Sequence, residues 1–180
     1  VVLLLSSLFQ REYIAKFRSG GKNGCYGIQI SQTRVTSFFL NYGFKSGSKT
    51  YTVRIPTYIK HSSKKIKLAF LRGLFDTDGC LRFDKNRTKR NYYPKIEFGF
   101  ASLKLIDDLS QLLNDLHFQN YHWKCRNTAK LCIAGKTMLD RWMKEVKPKN
   151  SKHLNKYKKF QKEGYVSSYA GVAQPGTALT

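Results

Sequence analysis

Leu71-Arg72-Gly73-Leu74-Phe75-Asp76-Thr77-Asp78-Gly79 is the stretch on which the fold turns. Just before it, Ser62, Ser63, Lys64 and Lys65 offer a helix start. Ile66, Ala69, Phe70, Gly73 and Leu74 then recur at helical spacing, which predicts a helix with one apolar face. That face holds small residues at Ala69 and Gly73, a spacing at which two helix backbones can approach closely. The helix ends in Asp76 and Asp78, followed by Gly79. Acids at a helix C-terminus face the wrong end of the helix dipole. A metal ion or a basic partner would explain them. Without one, the same residues describe a buried helix with a glycine cap and solvated acids.

Charge sets the class of partner. The chain has 180 residues, with 33 Lys+Arg against 11 Asp+Glu and a formal net charge of +22. Such a surplus favours a polyanion: nucleic acid first, an anionic membrane second. Hydrophobic residues make up 41%, enough to bury a core and to argue against wholesale disorder. The most apolar run, residues 1–5, is far too short to cross a membrane and lacks the features of a signal peptide. No membrane partner is therefore expected. Cys25, Cys80, Cys125 and Cys132 form no CxxC pair, and His61, His117, His122 and His153 are scattered. This argues against zinc and for a reducing, cytoplasmic setting.

Upstream of the central stretch, residues 2–9 read as a helix running into a strand around residues 13–17. Residues 19–24 form a turn, and residues 26–30 alternate like a strand. Ser31 can cap a helix to about Tyr42, with Val35, Phe38 and Phe39 inward, and Gly43 stops it. A basic loop at residues 45–49 and an extended piece at residues 51–56 follow.

Downstream of Gly79 the period changes to two. Residues 80–84 and 93–100 read as strands around a basic turn at residues 86–91. Ser102 caps a helix to about Leu116, with Leu105, Ile106, Leu109, Leu112 and Leu113 inward. Residues 121–126 and 130–134 form a second strand pair, and residues 138–146 a helix. A basic loop, residues 147–152, leads to a basic helix at residues 154–163. The tail carries little pattern. From Lys64 to Val146 the order is helix, strand, strand, helix, strand, strand, helix. Residues 2–49 and 105–152 also share an order: helix, strand, strand, helix, basic loop. Three parts are therefore expected: residues 1–60, a partial repeat of the back half of such a unit; residues 61–165, a whole unit; and residues 166–180, a tail.

The central run resembles the signature of the LAGLIDADG homing endonucleases. Leu71, Gly73, Leu74, Asp76, Asp78 and Gly79 match it outright. Phe75 and Thr77 are mild changes, and Arg72 replaces a small residue. The flanks, residues 70–76 and 147–154, resemble archaeal, intron-encoded members, and the resemblance extends to about Gly164. It implies an α+β fold of αββαββα order, with an antiparallel four-stranded saddle sheet, helices on one face and DNA on the other. It also implies metal-dependent hydrolysis of both strands of double-stranded DNA, as in intron homing.

Hydrolysis of a phosphodiester needs an activated water and stabilisation of charge, which divalent ions can supply. Mg²⁺ accepts few carboxylates beside water and phosphate oxygens; Mn²⁺ or Ca²⁺ are the other cations the resemblance allows. Asp78 matches the family's catalytic metal-binding acid, and the Gly79 carbonyl is its expected companion. Lys149, and next Lys147, match the family's catalytic lysine. One motif supplies one acid, so cutting two strands implies a C2 homodimer on a long, partly palindromic site. Ala69, Phe70, Gly73, Leu74 and Asp76 are expected at its contact. A further motif upstream would make a pseudosymmetric monomer instead.

Alternation divides the sheet. Phe83, Ile96, Phe98, Phe100, Trp123, Cys125, Leu131 and Ile133 are expected toward the helices. Arg82, Asp84, Asn86, Tyr93, Lys95, Glu97, Lys124, Arg126 and Lys130 are expected toward DNA, where such residues can read base edges. Arg87, Lys89 and Arg90 belong to phosphates. The competing readings are an intron RNA maturase and a non-cutting DNA-binding protein on the same fold.

Overall fold

The computed structural model describes residues 2–14, 16–18, 25–27, 30, 32–45, 47–85 and 90–166. Its contacts fall into two compact units, Val1–Gly47 and Ser48–Thr180.

The first unit contains α1 (Val2–Phe9), β1 (Lys16–Arg18), β2 (Cys25–Gly27) and α2 (Thr33–Asn41). The two strands pair antiparallel, with Phe17 opposite Tyr26. The sequence starts the first strand at Tyr13, but Tyr13 is buried and its N–H donates to Ser6 Oγ at 3.2 Å. Val35 is buried as expected. Phe38 meets Phe9 and Phe39 edge-on, at 5.4 and 5.5 Å between centroids. Gln32 takes the N-cap position of α2. The expected cap Ser31 and the expected turn at residues 19–24 lie outside the described residues.

The second unit runs α3 (Thr57–Lys60), α4 (Lys64–Asp78), β3 (Cys80–Asp84), β4 (Tyr93–Phe100), α5 (Leu103–Asp115), β5 (Tyr121–Cys125), β6 (Thr128–Ala134), α6 (Lys136–Glu145) and α7 (Ser151–Glu163). Four antiparallel strands form one sheet in the order β3-β4-β6-β5. The αββαββα order read from the sequence is present, with the antiparallel four-stranded sheet that the resemblance implies. Among the described residues no helix is long and apolar enough to cross a membrane.

The helices cover one face of the sheet. Phe75 of α4 lies against Trp142 of α6 at 5.4 Å and Phe98 of β4 at 6.0 Å between ring centroids. All three are at most 1% exposed. Three elements are thus locked around one aromatic contact, where ring pairs add to area burial. Ser102 caps α5 by accepting from the Leu105 N–H at 3.3 Å, and its hydroxyl donates to the Val53 carbonyl at 2.7 Å. The buried carboxylate of Asp108, in α5, accepts from Arg54, from Lys60 and from the Ile55 N–H. Burial opposes ionisation of Asp108, but its hydrogen bonds with Arg54 and Lys60 outweigh it and hold the carboxyl below its usual range. The segment at residues 48–60, grouped by the sequence with the N-terminal part, is tied to α5 by these bonds. The α7 helix starts at Ser151, capped by Asn150. It packs Phe160 on Phe83 at 4.8 Å and His153 on Phe75 at 4.4 Å.

Candidate helix-tip site and nucleic-acid interface

The burial of α4 differs from the stripe read in its sequence. Leu71 and Phe75 are the buried positions, with Leu68, Phe70 and Leu74 half-buried against the core. Ala69 and Gly73 are exposed. A Cβ added at Gly73 would meet nothing within 4 Å.

One residue, Gly79, joins α4 to β3. Its N–H donates to the Phe75 carbonyl at 3.1 Å. A Cβ there would sit 2.2 Å from the Phe75 ring and 2.8 Å from its backbone, so only glycine fits. This junction leaves Asp78 exposed on the last turn of α4. The Thr77 hydroxyl donates to Asp78 Oδ2 at 2.7 Å.

Asp76 has another task. Its carboxylate accepts from the Lys149 N–H at 2.9 and 3.0 Å and from the Asn150 N–H at 3.1 Å. The Asn150 side-chain amide donates back to the Asp76 carbonyl at 2.8 Å. The unpaired N–H groups at the start of α7 thus answer this acid, as helix N-termini answer anions. The clamp engages Asp76 within the chain and holds the backbone of Lys149 against the last turn of α4. Lys147, which has φ of 55°, and Lys149 are exposed. Arg72, the departure from the signature, donates through Nε to the Val146 carbonyl at 2.7 Å and so anchors the end of α6. Among the described residues there is no group of three or more His, Cys, Asp or Glu that could hold a metal.

The face of the sheet opposite the helices carries Cys80, Arg82 and Asp84 across from Glu97, Lys95 and Tyr93. Arg82 pairs with Asp84 at 3.0 Å and Glu97 at 3.2 Å, and Lys95 with Asp84 at 2.7 Å. Partial burial opposes ionisation of Asp84, but Lys95 and Arg82 prevail and hold its carboxyl below the usual range. Lys130 lies on the same face, opposite Gly99. Arg126, with φ of 49°, sits in the turn between β5 and β6. The Arg90 guanidinium lies 5.0 Å over the Tyr165 ring. Asn86, Arg87 and Lys89 lie outside the described residues.

The phase of β5 is the reverse of the one read in the sequence. Trp123 pairs with Lys130 and Cys125 with Thr128, on the open face, whereas Lys124 pairs with Ala129 on the helix side. Ala129, Leu131 and Ile133 must be buried, and β5, an edge strand, takes its phase from them. A large aromatic residue was read as core, yet a signal was present. Arg126 and Asn127 form a two-residue hairpin loop, which fixes register. Given Lys130 outward, Trp123 must be outward too. The Tyr121 and Trp123 rings stack at 5.7 Å and 22°, and they are 48% and 38% exposed. The neighbouring Cys132 thiol holds the Tyr121 hydroxyl above its ordinary pKa; burial raises the thiol.

The comparisons agree with the fold, which is that of the LAGLIDADG homing endonucleases. Residues 65–147 match the family model of the LAGLIDADG-like domain. No curated protein matches the chain. Among solved structures, mesophilic variants of the homing endonuclease I-DmoI superpose with a TM-score of 0.52 at 16% identity, over 80% of this chain and 68% of theirs. An I-DmoI variant in complex with its target DNA, in the presence of 2 mM Mn, gives 0.49 at 20% identity, over 85% and 70%.

Proposed function

We propose that the protein is a site-specific homing endonuclease that cuts both strands of double-stranded DNA, of the intron-homing type, and that it works as a C2 homodimer. The observation that carries this reading is the junction at Gly79. It leaves an exposed carboxylate, Asp78, at the point where α4 turns into β3, in a chain of net charge +22.

The donor set fits a hard divalent cation such as Mg²⁺, Mn²⁺ or Ca²⁺. The Asp78 carboxylate and the Gly79 carbonyl are oxygen donors, and Mg²⁺ keeps several waters beside few protein ligands. When bound, the ion supplies charge neutralisation at the phosphate and a more acidic water. The chain's own residues do the rest. Thr77 orients the Asp78 carboxylate by donating to one of its oxygens. Asp76 holds the backbone of Lys149, whose ammonium supplies positive charge beside the scissile phosphate, with Lys147 next to it. Arg82, Asp84, Tyr93, Lys95, Glu97 and Lys130 face the groove and read base edges. Arg126 belongs to the same contact surface, and Arg90 to the phosphates, with Asn86, Arg87 and Lys89 completing the set from the β3–β4 turn. Lys124 is not a base reader in this account, because its strand position faces the helix side.

Pairing of two chains follows from the exposed Ala69 and Gly73, flanked by the half-buried Phe70 and Leu74. A two-fold axis between two α4 helices supplies one Asp78 for each DNA strand. The test is Asp78→Asn on a duplex enriched from a random pool, in Mg²⁺. Cleavage is expected to fall about 10³-fold or more, close to 4 kcal/mol of barrier, with binding unchanged. An undiminished rate would remove Asp78 from the chemistry. A wild-type protein that binds and never cuts would leave a binding-only role, on DNA or on intron RNA.

A further inference from the structure

The open sheet face has two chemically different halves. The β3–β4 half is ionic, built from Arg82, Asp84, Lys95 and Glu97. The β5–β6 half is apolar, built from Tyr121, Trp123, Cys125 and Cys132. The ring of Tyr121 stacks on Trp123 and lies across from Cys132. Cys132 is fully buried although it points to the open face, opposite Tyr121. The two stacked rings form an aromatic platform on the open face. Lys130, directly across from Trp123, sets a positive charge beside it.

We infer that the Tyr121–Trp123 platform reads the C5-methyl groups of thymine in the major groove, and so determines specificity at the thymine-rich positions of the target. The inference rests on the DNA-binding reading above. The ionic half can donate to guanine and adenine edges and accept from cytosine; thymine differs from the other bases in the major groove by its methyl group, which an apolar surface reads. A duplex resting on the Arg82–Glu97 rows brings the floor of its groove to the aromatic rings, because all these residues share one sheet face. Stacking of a flipped base would need that base to be unpaired first, at a cost of a few kcal/mol. Contact with a methyl group needs no such deformation.

The experiment uses the whole chain and a duplex enriched from a random pool. Each thymidine is replaced in turn by deoxyuridine, which removes the methyl and keeps the pairing. The wild-type protein is expected to lose affinity about fourfold at one or two positions, as one buried methyl group dictates. Trp123→Ala is expected to bind the thymidine and deoxyuridine duplexes alike. Indifference of the wild type to every replacement, with tight duplex binding, overturns this inference and leaves the endonuclease reading standing. Tighter binding to the same sequence as single-stranded DNA or RNA, lost in Trp123→Ala, overturns it in favour of base stacking. Failure to enrich any duplex overturns both readings. The deoxyuridine scan needs no variant, so it decides even if Trp123→Ala does not fold.

Discussion

The packed and open faces of α4 obey different rules, and its two glycines show how. At Gly79 a Cβ would collide with Phe75, whereas at Gly73 it would meet empty space. Gly79 is explained by the fold, since the turn into β3 leaves no room. Gly73 is not explained by anything the described residues place nearby. A mid-helix glycine costs about 0.5–1 kcal/mol relative to alanine. On an exposed face the bare backbone suits the close approach of a second helix, which is the pairing proposed above. The packed face holds the unit together, and the open face is the one proposed above to meet a copy of the chain.

Four substitutions separate the faces. Phe75→Ala removes the ring shared by α4, β4 and α6 and is expected to cost about 3–5 kcal/mol in denaturant unfolding. A cost below 1 kcal/mol would mean that the packed face is not the centre of the core. Gly79→Ala forces Phe75 or the backbone to shift and is expected to cost about 1–3 kcal/mol. If it melted like the wild type, the tight junction would be disproved. His153, stacked on Phe75, is kept neutral: burial lowers its pKa, helped by Lys152 and Lys156. Charging it is easier in the unfolded chain. Stability is therefore fully present above the ordinary histidine pKa and falls as pH drops below it, at about 1.4 kcal/mol per pH unit until the folded pKa is passed. Comparing melting at pH near 7.5 and near 5.5 reads this slope, which His153→Gln is expected to abolish. Gly73→Ala touches the open face alone and is expected to raise the stability of the single chain by about 0.5 kcal/mol. Destabilisation would reveal a contact within the chain.

Much of this was legible in the sequence because the αββαββα unit is written in periodicities. Ser102 followed by Leu105, Ile106, Leu109, Leu112 and Leu113 could only be a capped, one-sided helix. Strand β4 alternated cleanly because its two faces meet opposite environments. Two things escaped. Trp123 looked like core because size and apolarity usually mean burial, yet β5 is an edge strand whose phase is dictated by β6. Asp76 looked like a companion of Asp78 at the helix pair, yet its partners are backbone N–H groups of Lys149 and Asn150, far away in sequence. Side-chain-to-backbone clamps across such separations leave no periodic trace. The tie between residues 48–60 and α5 is hidden for a similar reason: Asp108, in the middle of α5, carries the bonds that hold the segment.

The most direct test of the open face is the mass of the protein in solution, measured for the wild type and for Gly73→Leu at matched concentration. The account predicts twice the chain mass for the wild type and the single-chain mass for Gly73→Leu, with the same circular dichroism. A dimer of unchanged affinity in Gly73→Leu, or a wild type that stays a single chain on its DNA, would contradict it.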